Sequence, residues 1–213
     1  MYLINVTADN SELDDIPCLD QKNPNSVRLF NYDRKWLLDR FDEGLKIIKL
    51  DTPEPAFIEY IPAEKAWKPI SAPGYIFVNQ LFVPEIYASE WLKSILLHHC
   101  EIENKDKNGV VIMLGNDDFK QNRTFFLQRG YLEYAHLPNF TLLVKRFNPE
   151  SPSPYFSMNF ETETSHGQSH TITLKYADQS TFINFYIFQM GREFEDLGFE
   201  VILKKLETAK DAR

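Results

Sequence analysis

No stretch limits the fold of this chain more than Gly74 to Cys100, GYIFVNQLFVPEIYASEWLKSILLHHC. Tyr75 to Val83 is a dense run of β-branched and aromatic residues stopped by Pro84. Ser89 then opens a glycine-free segment with apolar residues at helical spacing. The pattern predicts a buried strand, a short loop and a helix. A helix leaving the end of a sheet presents backbone N–H groups without intrahelical partners, and its dipole favours negative charge. Such a junction is where a phosphate-bearing cofactor would sit.

Around this unit the chain is long enough, at 213 residues, for one full core and a smaller appended unit. Its formal charge of −8 and pI near 5.2 argue against nucleic acid or an anionic membrane as the main partner, since both need basic surface. No apolar run approaches the ~20 residues of a membrane span, and MYLINVTADNSELDD has neither the basic nor the apolar region of a secretory leader. Cys18 and Cys100 make no disulfide framework, so a cytoplasmic setting is expected.

Taken in order, Tyr2 to Val6 alternates as a first strand, and Thr7 to Asn31 is loop-like. Asp33 caps a helix carrying Trp36, Leu37, Arg40 and Phe41, with Gly44 at its C-terminal left-handed position. Leu45 to Leu50 and Ala56 to Ile61 read as strands joined by the proline-marked turn Asp51 to Pro55, and Tyr75 to Val83 continues the meander. The central helix presents Leu92, Ile95, Leu96 and His99 inward, with Trp91 in the core. Val110 to Leu114 is continuously apolar, as in a strand covered on both faces. Asn116 to Asp118 reads as a loop, Lys120 to Gln128 as a helix ending at Gly130, and Tyr131 to Tyr134 with Thr141 to Lys145 as a closing pair. The order implies an α/β mixed sheet flanked by helices. Asn148 to Ser169 changes character, with three prolines and then Ser, Thr and Glu, and reads as a linker that could pair through Tyr155 to Phe160. Thr171 to Tyr176, a helix over Ser180 to Leu197, and Phe199 to Leu206 form a βαβ unit. Its helix carries Phe182, Phe185, Tyr186, Gln189 and Phe194 on one face.

The strand, loop and helix order of Gly74 to Cys100 resembles the acyl-coenzyme-A motif of GNAT-superfamily N-acetyltransferases. The blocks KWLLDRFDEGLKIIKLD (Lys35 to Asp51), AFIEYIPAEKAWKPI (Ala56 to Ile70), LPNFTLLVKRF (Leu137 to Phe147) and LKYADQSTF (Leu174 to Phe182) are similar to a bacterial YoaP-like subgroup. The resemblance implies the GNAT acyl-CoA N-acyltransferase fold over residues 1–147, a linker over 148–170, and a truncated thioredoxin-like βαβ module over 171–213. At the turn where that module commonly carries a cysteine, this chain reads Asp178-Gln179-Ser180-Thr181.

By the same resemblance, acetyl-CoA is the cofactor. Its pantetheine arm is held by backbone groups of Leu81, Phe82 and Val83, and its pyrophosphate by the turn Ser89, Glu90, Trp91, Leu92 and Lys93. The family's turn is glycine-rich, because glycine lets backbone amides approach a phosphate without a Cβ in the way. Here there is no glycine from Tyr75 to Asn108, and Glu85 and Glu90 flank the turn. The family's proton-donating tyrosine corresponds to Phe126, which has no proton to give.

From the residues themselves, Glu59 stands out as a carboxylate in the apolar strand Phe57 to Ile61. Burial there raises a carboxyl's affinity for a proton and suits it to take one from an amine, with Asn79 orienting a water. The other reading of Glu59 is an ion pair with a surface lysine. His98, His99 and Cys100 diverge on a helix and cannot share one ion, and His166 with His170 lies in a segment unsuited to helix, so no metal is assigned. Two functions follow. One is an N-acetyltransferase acting on a small-molecule or peptide amine, compatible with a homodimer. The other is a catalytically silent GNAT scaffold serving as a binding module.

Overall fold

The computed structural model describes residues 2–7, 34–87, 90–137, 140–157, 171–176 and 190–206. Seven strands form the main sheet: β1 (Leu3–Val6), β2 (Lys46–Leu50), β3 (Phe57–Pro62), β5 (Tyr75–Phe82), β6 (Gly109–Gly115), β7 (Leu132–Leu137) and β8 (Phe140–Arg146). Their order across the sheet is β1-β2-β3-β5-β6-β8-β7. Every neighbouring pair is antiparallel except β5 and β6, which run parallel. A parallel pair needs a crossover rather than a tight turn, and the crossover is α2 (Glu90–Glu103).

The sheet separates two apolar layers. On one face α1 (Arg34–Asp42) sets Leu37 against Ile47, Phe57, Ile61, Tyr75 and Phe77. Gly44 ends this helix in the left-handed region, at φ 95°. On the other face α2 and α3 (Asn116–Leu127) cover Ile58, Tyr60, Ile76, Val78, Val110 and Ile112. The spacing of α2 turns Leu92, Leu96, Leu97 and Cys100 inward, all buried. A side chain of this size contributes ~1.5–3 kcal/mol when fully buried. β6 reads GVVIMLG without polar alternation because both of its faces are covered.

Three expectations change. Asn116 to Asp118 is the first turn of α3 rather than a loop, with Gly115 extended before it at φ −75° and ψ 163°. Acids in a first helical turn face the positive end of the dipole, which favours starting the helix there. Trp91 is 65% exposed and lies outside the core. Cys100, not His99, is the buried residue at that end of α2. His99 instead reaches Glu103, 3.7 Å away.

Beyond β8, the short strand β9 (Tyr155–Phe156) pairs antiparallel with β4 (Ile70–Ser71). The Tyr75 hydroxyl donates to the Pro152 carbonyl at 2.8 Å, and Ser151 Oγ donates to Asn108 Oδ1 at 3.1 Å. Residues 148–157 therefore pack on the main unit. β10 (Thr171–Tyr176) and β11 (Glu200–Lys205) form a separate parallel pair. A helical segment over 190–196 precedes β11, and Phe194 meets Phe199 edge-on at 6.2 Å. Phe182, Phe185, Tyr186 and Gln189 lie outside the described residues. Among the described residues, no helix is long and apolar enough to cross a membrane.

Candidate active site

The register of β5 contains the site. Against β6 it pairs only from Tyr75↔Gly109 to Val78↔Ile112, although β5 continues to Phe82 and β6 to Gly115. Against β3 it stays paired out to Phe82. The two parallel strands thus part after Val78, leaving a wedge between Asn79–Phe82 and Met113–Gly115. In a parallel ladder, half of a strand's N–H and C=O groups face each neighbour. On the wedge side of β5 those groups face the gap, and Asn79, Gln80, Leu81 and Phe82 are all partly exposed.

The parting has a local cause. Glu59 pairs with Gln80 while Tyr60 pairs with Val78, so Asn79 is an extra residue on β5, a bulge. Bulges bend and twist the strand that carries them. The sequence signal is Asn79-Gln80, two adjacent polar residues in a strand that is otherwise mostly apolar. Past the wedge both strands lead into helices, α2 after a short turn and α3 directly. Two helix N-termini therefore stand at the same end of the sheet as the opening, at the carboxyl ends of parallel strands where α/β sheets bind ligands.

Of the residues expected to hold a pyrophosphate, Ser89 lies outside the described residues. Glu90 and Trp91 project into solvent, and Leu92 is buried. Lys93 donates to Asn122 Oδ1 at 3.2 Å. The turn is less acidic in space than in sequence, because Arg129 reaches across from beyond α3. Its Nε and Nη2 donate to Ser94 Oγ at 3.0 and 2.5 Å, its guanidinium stacks 3.6 Å over Phe125, and Nη2 stands 4.0 Å from Glu90. Sequence reasoning missed this cation, since only the packing of α2 on α3 brings it there. Leu81 and Val83 lean on the α2 side of the sheet, and Phe82 on the α1 side, 5.6 Å from Phe57.

Glu59 is 0% exposed, on an inner strand. The surface ion pair therefore does not describe it. Asn79 Nδ2 donates to Glu59 Oε1 at 2.7 Å, so the bulge residue and the buried carboxylate are joined directly. Burial pulls the Lys68 ammonium below the usual lysine range, and the charge on Glu59 opposes that shift. Lys68 was not singled out in the sequence. It sits in a turn, between Trp67 and Pro69, where spacing says nothing of facing.

Neither Tyr131 nor Tyr134 stands ready as a proton donor at the wedge, and Phe126 has no proton to give. Phe126 is buried, 5.4 Å from Tyr131. Tyr131 is fully buried and donates to Glu101 Oε1 at 3.1 Å. Burial first, and then the Glu101 charge, push its hydroxyl far up. Tyr134 packs on the α1-side core under Arg146, 5.0 Å away. Among the described residues, no three His, Cys, Asp or Glu side chains cluster to hold a metal.

No protein-family profile matches the chain. It is 29% identical over 187 residues to the uncharacterized N-acetyltransferase YoaP of Bacillus subtilis (strain 168), covering 85% of this chain and 73% of that protein. Among solved structures, aminoglycoside 6'-acetyltransferase type Ii superposes with a TM-score of 0.50 at 19% identity, over 70% of this chain and 99% of that one. The aminoglycoside 6'-N-acetyltransferase of Enterococcus faecium gives 0.49 at 15% identity, over 71% and 100%. The relative supports the resemblance to N-acetyltransferases, and the first of these structures supports the fold. With seven strands in this order and a wedge where the parallel pair of the main sheet parts, the chain adopts the GNAT acyl-CoA N-acyltransferase fold.

Proposed function

We propose that this chain is an acyl-CoA-dependent N-acetyltransferase that moves an acetyl group from acetyl-CoA to an amine on a small molecule or peptide. The observation that carries this reading is the wedge: an open strand edge at Asn79–Phe82, flanked by two helix N-termini. An open edge pairs with any extended chain bearing amides, and the pantetheine arm is such a chain. Residues Leu81, Phe82 and Val83 would hold that arm, and the α2 turn from Ser89 to Lys93 the pyrophosphate. When bound, acetyl-CoA supplies a thioester-activated acetyl group. A backbone N–H on the open edge is already oriented, so it stabilises charge developing on a carbonyl oxygen without reorganisation. The similarity to a named N-acetyltransferase supports the same class of reaction.

The donor is held weakly in this reading. Glu90 and Trp91 carry side chains where a glycine-rich turn carries none, and the Glu90 carboxylate, 4.0 Å from Arg129, offsets the positive charge that the arginine brings to the turn. A homodimer fits the proposal but is not needed for it. The proposed division keeps residues 1–147 as the catalytic unit, with 148–157 packed against it through β9, and 171–213 as a βαβ module.

Calorimetric titration with acetyl-CoA and with CoA tests the reading. A dissociation constant weaker than about 1 μM, roughly −8 kcal/mol, is expected. Glu90→Gly with Trp91→Gly should tighten it. Absence of binding at millimolar ligand would overturn the enzyme and favour the silent scaffold. Sub-micromolar binding by the unaltered chain would overturn only the argument from the turn.

A further inference from the structure

We propose that a cavity beside α2 is a second binding site, one that takes a compact oxyanion of the phosphate class. The site does not depend on the acyl-transfer reading, because none of its lining belongs to the wedge. The cavity is about 260 Å³ and is lined by Ser94, Leu97, His98, Glu101, Arg129 and Lys145. The first four recur at helical spacing, so one flank of α2 supplies them. Arg129 comes from the turn after α3, and Lys145 from β8. Pockets for drug-sized ligands run to ~300–1,000 Å³, so a smaller space favours a small occupant.

Hydrogen-bond donors decide what kind of occupant fits. Arg129 carries five N–H groups. Three are engaged: Nε and Nη2 with Ser94 Oγ at 3.0 and 2.5 Å, and Nη1 with the Phe125 carbonyl at 2.7 Å. Two remain unbonded among the described residues, on a guanidinium held in place by its stacking 3.6 Å over Phe125. Lys145 donates one N–H to Glu101 Oε2 at 2.6 Å and keeps two. His98 adds a donor whatever its charge, since an imidazole always bears at least one N–H. A cationic ligand would meet both Arg129 and Lys145, and an apolar one would find only Leu97. An oxyanion meets spare donors from three elements, and such charge-assisted bonds are the strong ones.

Two carboxylates oppose an anion here, and neither cancels the site. Glu101 is satisfied from both sides, by Lys145 on one oxygen and by the Tyr131 hydroxyl on the other at 3.1 Å. Glu90, 4.0 Å from Arg129 Nη2, is 68% exposed, so water and salt weaken its reach. The Arg129 and Lys145 side chains are only 24% and 28% exposed, where an ionic contact is screened less. Cations therefore outweigh acids inside the cavity itself, on a chain whose formal charge is −8.

The test titrates inorganic phosphate into the full ¹⁵N-labelled chain at fixed pH, with chloride holding the ionic strength constant. NMR follows the Arg129 Nε–H and His98 ring signals, which Arg129→Gln and His98→Gln assign. Both signals should shift and saturate in the unaltered protein. Lys145→Met should weaken phosphate binding by about tenfold or more. Glu101→Gln should strengthen it, because the amide keeps an acceptor for Tyr131 while the opposing charge is gone. Shifts that never saturate, or that chloride alone reproduces, would overturn the site, as would a Glu101→Gln protein that binds phosphate no better than the parent. If either variant fails to fold, the unaltered protein still decides, since absence of a saturating shift there is fatal to the proposal. No readout needs acetyl-CoA or turnover, so a failure here is separate from a failure of the enzyme reading.

Discussion

Single residues in this molecule act through partners that lie far away in sequence. At the lower end of α2, Glu103 accepts from Lys46 on β2 and from the Tyr60 hydroxyl on β3, with His99 beside it. Burial alone would raise its carboxyl, but the bonds from Lys46 and Tyr60 outweigh that and hold it below the usual glutamate range. A carboxyl depressed in the folded state stabilises the fold fully above its unfolded value of ~4.3 and loses that contribution as pH falls through the folded value. Glu103→Gln should therefore lower the melting temperature at pH 7, and the difference from the parent should shrink as pH falls through the depressed folded value of Glu103. A scan of melting temperature against pH for both proteins checks this. Glu59 could be read from sequence as unusual because a carboxylate in FIEYIP breaks an apolar run. Sequence placed Asn79 beside it through a water, but the direct bond between the two could not be read, since a bulge is fixed by pairing between strands 20 residues apart.

Elements were legible where their pattern is local. The strand and helix of Tyr75 to Glu103 follow from an apolar run, a proline stop and helical spacing. The start of α3 did not, because Asn116-Asp117-Asp118 suits both a loop and an acidic first turn, and only the tertiary position of the strand before it decides. At the other end of that strand, Gly109 sets the entry of β6. Its φ is 151°, and a Cβ there would stand 2.1 Å from the Lys145 carbonyl oxygen on β8. Backbone cannot swing aside as a side chain can, so Gly109→Ala should cost about 2 kcal/mol or more, or roughly 4–8 °C in melting temperature at this chain length. Gly130 is a control. Its φ is 84°, but the nearest atom to an added Cβ is a flexible Lys145 carbon at 3.9 Å. Gly130→Ala should cost only the conformational strain, about 1 kcal/mol, and paired thermal melts separate the two.

At the scale of the molecule, composition and order gave the mixed sheet, while the seam between main unit and tail was not visible. Proline-rich sequence from Asn148 reads as spacer, yet Ser151 is buried and β9 completes a ribbon with β4. A chain cut after Ser157 should keep the melting temperature of residues 1–157 close to that of the whole protein if β10 and β11 stand apart. A cut after Phe147 should lower it by several degrees, through loss of the Tyr75 and Asn108 contacts. Equal melting of the two shortened chains would show that residues 148–157 add nothing.

The four-residue ladder between β5 and β6 also sets off two leaves of one sheet, joined across the seam by the apolar layers on both faces. On one side lies a four-stranded leaf, β1-β2-β3-β5, and on the other a three-stranded leaf, β6-β8-β7, bound along a short spine at one end and free at the other. Leaves hinged in this way can change their angle at the free margin while the ladders inside each leaf stay intact. Whatever fills the gap would then bridge the two leaves at their free margin.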